Sequence, residues 1–116
     1  MDKFWLKSYP EGVPAEIDPD QYRSLVQLLD ESFTKFADRN AYACMDKFLT
    51  YKELDTYSRR AAAWLQSRGM KKGARVAIMM PNVLQYPIAV ASGQRARYSV
   101  DNGNPRYTKH KLEQQL

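Results

Sequence analysis

The stretch RVAIMMPNVLQYPIAVASGQRARYSVDN, Arg75 to Asn102, decides the fold. It opens on an apolar run of strand length, and the evenness of that run suits burial on both faces of a parallel sheet. Pro81-Asn82 breaks the run. A helix is predicted over 83–95, with Leu84, Ile88 and Ala91 on its buried face. Pro87 removes an internal hydrogen bond unless it lies in the first turn. A weaker strand follows near 98–101, and Asn102-Gly103-Asn104-Pro105 turns the chain again. Strand, helix and strand in that order make a βαβ unit. Its second half is unusually polar, because Gly93, Gln94, Arg95 and Arg97 arrive before a strand that reads Tyr98-Ser99-Val100-Asp101.

Upstream, Thr50 and Glu53 have the Thr-x-x-Glu spacing of a capping box. The helix they start is predicted to run to about Arg68, with Leu54, Tyr57, Ala61 and Leu65 on one face and Gly69 as the residue just past its end. Ala61-Ala62-Ala63 favours the helix and permits close packing. Before it, the β-prone runs 41–45 and 48–51 flank Asp46-Lys47 and predict a hairpin. Ser24 is a suitable N-cap for a first helix over 24–37. Leu25, Leu28, Leu29, Phe33 and Phe36 form its apolar stripe. At the far end, Lys109 to Leu116 begins another helix. Residues 1–20 read as an irregular leader, punctuated by Pro10, Gly12, Pro14 and Pro19. Phe4, Trp5 and Leu6 suit either a membrane interface or, the expected outcome, packing back on the remainder, residues 21–116, which form an incomplete α/β subdomain.

The length of 116 residues suits one domain, and 44% apolar with 27% charged residues suits a globular one. The net charge of +5 is unevenly spread. Residues 1–58 carry 7 basic and 11 acidic side chains, whereas residues 59–116 carry 11 and 2. A basic half suits an anionic membrane or nucleic acid. However, Arg59, Arg60, Arg68 and Arg75 are not interleaved with aromatics as a nucleic-acid groove requires. Nucleic acid is therefore not an expected partner, although a basic binding module remains the rival reading. The single cysteine, Cys44, excludes an intrachain disulfide and a cysteine-based zinc site. The opening MDKFWLKSYP lacks the apolar core of a signal peptide.

A search for chemistry finds little. Neither G-x-G-x-x-G nor G-x-x-x-x-G-K-[ST] occurs. His110, between Lys109 and Lys111, has no nearby partners for a metal site or a triad. Cys44 reads as a small core residue. Glu11, Glu16, Asp18 and Asp20 lack the tight spacing of a calcium loop. Asn102-Gly103-Asn104-Pro105 reads as a turn, and Lys71-Lys72 as charge complementing a helix C-terminus.

Three segments carry a resemblance. DKFWLKSYPEGVPAEI (2–17) resembles the opening of bacterial long-chain fatty-acid–CoA ligases. LTYKELDTYSRRAAAWLQSRGMKKGARVAIMMPNVLQYPIAV (49–90) resembles the first block of the wider acyl-adenylate-forming family. Its marks are Thr50-Tyr51-x-Glu53-Leu54, the Lys72-Gly73-x-Arg75-Val76-Ala77 run and Pro81-Asn82. NPRYTKHKLEQQL (104–116) resembles the Asn-Pro-x-Tyr-Thr segment that follows the next strand. The implied fold is the start of the family's N-terminal domain, where βαβ units build layered sheets. The implied activity uses ATP and Mg2+ to convert a long-chain fatty acid to acyl-AMP, then passes the acyl group to coenzyme A. Catalysis of this kind holds and screens the triphosphate charge. The family does so with a Ser/Thr/Gly-rich loop ending in lysine, a later Tyr-Gly-x-Thr-Glu motif and a lysine in a mobile C-terminal domain. None of these occurs here, so no catalytic, cofactor-binding or metal-binding residue is assigned, and the 116-residue chain alone is expected to be inactive. The resemblance implies a cytoplasmic location, with peripheral association at the inner membrane.

The departures from this pattern cluster late. Arg95, Ala96, Val100, Asn102, Asn104 and Pro105 keep the family frame. Ser92, Gly93, Gln94, Arg97, Ser99, Asp101, Gly103 and Arg106 stand at positions the family fills with apolar residues or glycine. The expectation is an N-terminal fragment whose otherwise bare apolar face, across residues 91–106, has been made polar by design, since such a patch invites aggregation, with natural divergence as the alternative.

Overall fold

The computed structural model describes residues 3–115; the first two residues of the predicted leader and the last residue of the predicted final helix lie outside them. The βαβ path runs as its sequence dictates. Strand β3 (Arg75–Ile78) leads into a helix over Gln85–Arg95 and then into β4 (Ser99–Asn102). The two strands pair in parallel, Val76 opposite Val100 and Ile78 opposite Asn102. Pro87 lies in the first turn of the helix, where its missing N–H has no partner to lose.

The preceding elements are helix α1 (Leu25–Lys35), strands β1 (Asn40–Cys44) and β2 (Lys47–Thr50), and helix α2 (Tyr51–Ser67). The helix between β3 and β4 is therefore α3, and a last helix, α4 (Lys109–Gln115), follows. Ser24 caps α1, its hydroxyl accepting from the Gln27 amide at 3.2 Å. The capping box of α2 is complete. Thr50 Oγ1 accepts from the Glu53 amide at 3.2 Å, and Glu53 Oε2 accepts from the Thr50 amide at 2.9 Å. That backbone hydrogen bond, with a second from the Thr50 hydroxyl, holds the Glu53 carboxyl below its ordinary pKa. Gly69, at φ 81°, follows the helix end in the left-handed conformation that glycine adopts freely.

Two apolar clusters form the core. Phe33, Leu49, Leu54 and Ala91 make one, with Leu29, Tyr51, Leu84 and Ile88 against it. Ala62, Ala96 and Tyr98 make the other, with Leu65, Met70 and Val76. Fully burying a leucine or phenylalanine side chain stabilises by about 1.5–3 kcal/mol.

The structure corrects several expectations. The hairpin turns at Met45-Asp46, one residue earlier than the polar pair Asp46-Lys47 suggested; both turn residues have positive φ, 48° and 59°. A two-residue turn of this hand matches strand twist whether or not glycine is present. On α2 the buried stripe is Leu54, Ser58 and Ala62, while Tyr57 is 42% exposed. The stripe is one residue out of phase because the small Ser58 and Ala62 let α3 approach, and a bulky tyrosine would not. Strand β3 ends at Ile78, and only Ile78 is buried; Ala77, Met79 and Met80 are exposed. The predicted burial on both faces is therefore not met, because two strands and their helices cover one side only. Leu25 is exposed. So are Phe4 and Trp5, which pack edge-to-face on each other in a short 3-10 turn, Phe4–Ser8, rather than against the domain.

The late departures do not form a solvent face. Ser92 and Gly93 are among the most buried residues, and Tyr98 is buried beside them. Ser92 Oγ donates to the Ala89 carbonyl at 2.7 Å. A Cβ on Gly93 would meet Val100 Cγ2 at 2.5 Å, so the glycine sets how closely α3 approaches β4. Arg97, Ser99 and Arg106 are exposed.

Helix α3 ends in a Schellman motif: the Tyr98 amide donates to the Gly93 carbonyl at 2.9 Å and the Arg97 amide to the Gln94 carbonyl at 3.0 Å. Its left-handed residue is Arg97, at φ 61°, where glycine carries no Cβ penalty. Arg97→Gly is therefore expected to stabilise the chain by about 1 kcal/mol. Urea unfolding measures it, and an unchanged or lower midpoint would show that the arginine is not strained.

Candidate functional site

Two regions gather polar groups. The first is a buried charge cluster where α1, α2 and α3 meet. Arg95 closes α3 and its side chain is only 9% exposed. One guanidinium nitrogen pairs with Asp55 and lies 2.8 Å from Asp30 Oδ1. Its Nε donates to the Ser58 hydroxyl at 3.1 Å, and the guanidinium lies over the Phe33 ring, 5.2 Å from its centre. Ser58 is fully buried and passes its own proton to the Asp55 carbonyl at 3.0 Å. Arg59 Nε shares Asp55, at 3.0 Å. The hydrogen bond to Asp55, then the carboxylate's charge, raises the Arg59 pKa above its ordinary value. Asp30 Oδ1 faces Arg95 without the alignment of a hydrogen bond, so charge alone holds it.

This cluster joins elements; it does not present a reactive group. Every charge in it is met by an opposite one, and Arg95 also borders a cavity of about 660 Å3 with Gln94, Arg97 and Tyr98. The planar fork of arginine suits such shared pairing better than a lysine point charge.

The second region is a crevice of about 450 Å3 at the carboxyl ends of β3 and β4. Pro81-Asn82 and Tyr86 form one wall; Asn102, Gly103, Asn104 and Tyr107 form the other. In open α/β sheets, ligands bind outside the carboxyl ends of parallel strands. The polar groups of the crevice are amides and phenols, beside the apolar Met80, Pro81 and Pro105, and its lining holds no carboxylate, histidine or cysteine. It can orient a ligand through neutral hydrogen bonds, but it offers no general base and no metal ligands. Among the described residues no group of His, Cys, Asp and Glu could hold a metal ion.

The residues weighed from sequence stay apart. His110 is exposed on α4, beside Gln114 at 3.2 Å. Cys44 is half-buried at the end of β1, its thiol 3.5 Å from the Asn82 carbonyl. Glu11, Glu16, Asp18 and Asp20 are exposed, and Glu16 pairs with Lys3. Sequence reading treated 102–105 as a plain turn; its place opposite Pro81-Asn82 follows from both turns succeeding adjacent parallel strands. The Arg95 cluster was missed because Ser58 and Asp55 precede Arg95 by 37 and 40 residues, and Asp30 and Phe33 lie further off still, beyond any local motif.

The fold is that of an adenylating-enzyme N-terminal subdomain. The Klebsiella oxytoca NpsA N-terminal subdomain superposes with a TM-score of 0.79 over 82% of this chain and 25% of its own, at 23% identity. The family model described as AMP-binding enzyme matches residues 29–116. The chain belongs to the AMP-binding enzyme family. It is 50% identical to a long-chain-fatty-acid–CoA ligase of Salmonella typhimurium, over 100% of this chain and 21% of that protein. A ligase of the same description from Escherichia coli O6:H1 is 49% identical over the same shares. The chain thus spans about a fifth of the length of the curated relatives it matches.

Removing the guanidinium tests the cluster. Arg95→Met is expected to cost about 3 kcal/mol, at the low end for a broken buried pair because Asp30 and Asp55 keep part of their hydration. Arg95→Lys keeps the charge without the fork and should cost roughly half of that. Chemical denaturation measures both; an Arg95→Lys chain as stable as the parent would show that the fork geometry is immaterial.

Proposed function

We propose that this chain is the N-terminal part of a long-chain fatty-acid–CoA ligase. The carrying observation is the 50% identity to the Salmonella typhimurium ligase over the whole chain. The reaction activates a fatty acid with ATP and Mg2+ to acyl-AMP, then forms a thioester with coenzyme A. The part played by these residues is scaffolding. They supply a parallel pair of strands, a helical clamp around Arg95, and a neutral crevice at the strand ends. The groups that would hold the triphosphate charge belong to other segments, so the 116-residue chain alone is inactive.

A fusion tests this reading. The chain replaces the aligned 117 residues of the Salmonella typhimurium ligase. The fusion is expected to form long-chain acyl-CoA in the presence of ATP, Mg2+ and coenzyme A, and the isolated chain to form none. A fusion that folds yet makes no acyl-adenylate overturns the reading.

The same proposal places the protein in the cytoplasm with a peripheral seat on the inner membrane. No described helix is long and apolar enough to cross a membrane. Support for the peripheral seat comes from Phe4, 76% exposed, and Trp5, 42% exposed, on a turn that carries Lys7 and follows Lys3. Aromatics flanked by lysines suit the interface of an anionic bilayer. Flotation with phosphatidylglycerol vesicles should recover the chain, and the Phe4→Ala/Trp5→Ala variant should stay behind. Equal recovery of both would remove the leader from membrane contact.

A further inference from the structure

At the amino ends of β3 and β4, the opposite end from the crevice, the chain gathers cations. A cavity of about 660 Å3 is lined there by Lys72, Arg95 and Arg97, together with Ser24, Leu25 and Val26 from the start of α1. No carboxylate lines it. Asp30 and Asp55 offset the charge of Arg95. Lys72 and Arg97 are exposed and take part in no ion pair among the described residues. Cross-links hold their two segments side by side. The Gly73 amide donates to the Arg97 carbonyl at 2.9 Å, the Ser99 amide to the Ala74 carbonyl at 3.0 Å, and the Tyr98 hydroxyl to the Met70 carbonyl at 3.1 Å.

Two uncompensated cations held in one cavity repel each other, and an anion seated between them removes that cost. Arg97 carries a further cost. Its φ of 61° is left-handed, a conformation that glycine would adopt without strain. Strained residues gather at ligand sites, where the strained side chain is the one the site uses. We infer that this cavity binds a phosphate monoester, free or as a lipid headgroup, with Lys72 and Arg97 as its ligands. A monoester carries nearly two negative charges near neutral pH and so matches the two cations, whereas a carboxylate matches one. The planar arginine fork grips phosphate through paired hydrogen bonds, and lysine adds a point charge. The volume exceeds that of a bare phosphate, and Leu25, 61% exposed, with Val26 offers apolar surface to the organic part.

The 116-residue chain tests this directly, because the readout is binding. Amide NMR follows the chain as inorganic phosphate replaces chloride at constant ionic strength. The Lys72 and Gly73 amides should shift and saturate. Arg97→Gly is a clean probe, since glycine suits that backbone and the variant keeps its fold. It should raise the phosphate dissociation constant by about tenfold, the loss of one charge-assisted hydrogen bond. Lys72→Gln should weaken binding by a similar factor. Arg60→Gln, at an exposed arginine outside the cavity, should leave it unchanged. Flotation with phosphatidic acid vesicles then separates the two sources. Recovery that falls in Arg97→Gly but not in Arg60→Gln assigns a lipid headgroup, and equal recovery of all three chains assigns a free phosphate ester. Phosphate shifts that never saturate overturn the site. So does binding that Arg60→Gln weakens as much as Arg97→Gly, or that neither cavity variant weakens.

Discussion

The Arg95 guanidinium is the contact on which the helical half of the molecule depends. It is nearly enclosed and cannot be satisfied by water, so protein groups must meet it. They come from two other helices: Asp30 and Phe33 from α1, Asp55 and Ser58 from α2. An apolar contact at this position could slide. A charged fork held by two carboxylates, a hydroxyl and a ring face has essentially one arrangement. The cluster therefore ties α1, α2 and α3 together at one point, and α3 packs in turn on β3 and β4.

Local chemistry was the legible part of the sequence. The Ser24 cap, the Thr50–Glu53 box, Gly69 past α2 and the βαβ order all follow from signals within a few residues, and all appear as read. What failed was non-local. The face of α2 was misplaced because a serine in a helix reads as polar, while Ser58 is buried by its bond to Arg95. The polar stretch of 91–106 reads as a surface adapted to water, and only Arg97, Ser99 and Arg106 among its departures are so exposed. Instead Ser92 returns its hydroxyl to its own helix, Gly93 makes room for Val100, and Arg95 finds its acids across the core. The crevice was half legible: both of its turns were found, and their opposition followed only from parallel pairing.

The opposite failure occurs at β3. Its evenly apolar run is correct for a strand with neighbours on every side, and this chain supplies them on one side only. Such a run is evidence about the whole sheet, and local burial alone would mislead about it.

The contact between Gly93 and Val100 has a mechanical consequence. With no Cβ on Gly93, α3 lies closer to β4 than a helix carrying any side chain there could, since a Cβ would meet Val100 Cγ2 at 2.5 Å. Two surfaces seated that closely resist sliding, because any shift along the strand drives the Val100 methyl into a side chain on either side of the glycine. Tyr86 near the start of α3 and Asn102 at the end of β4, on opposite walls of the crevice, are therefore carried on one unit. Any widening of the crevice at the strand ends has to come from the loops, Pro81-Asn82 on one side and 102–105 on the other, with the floor beneath them held still.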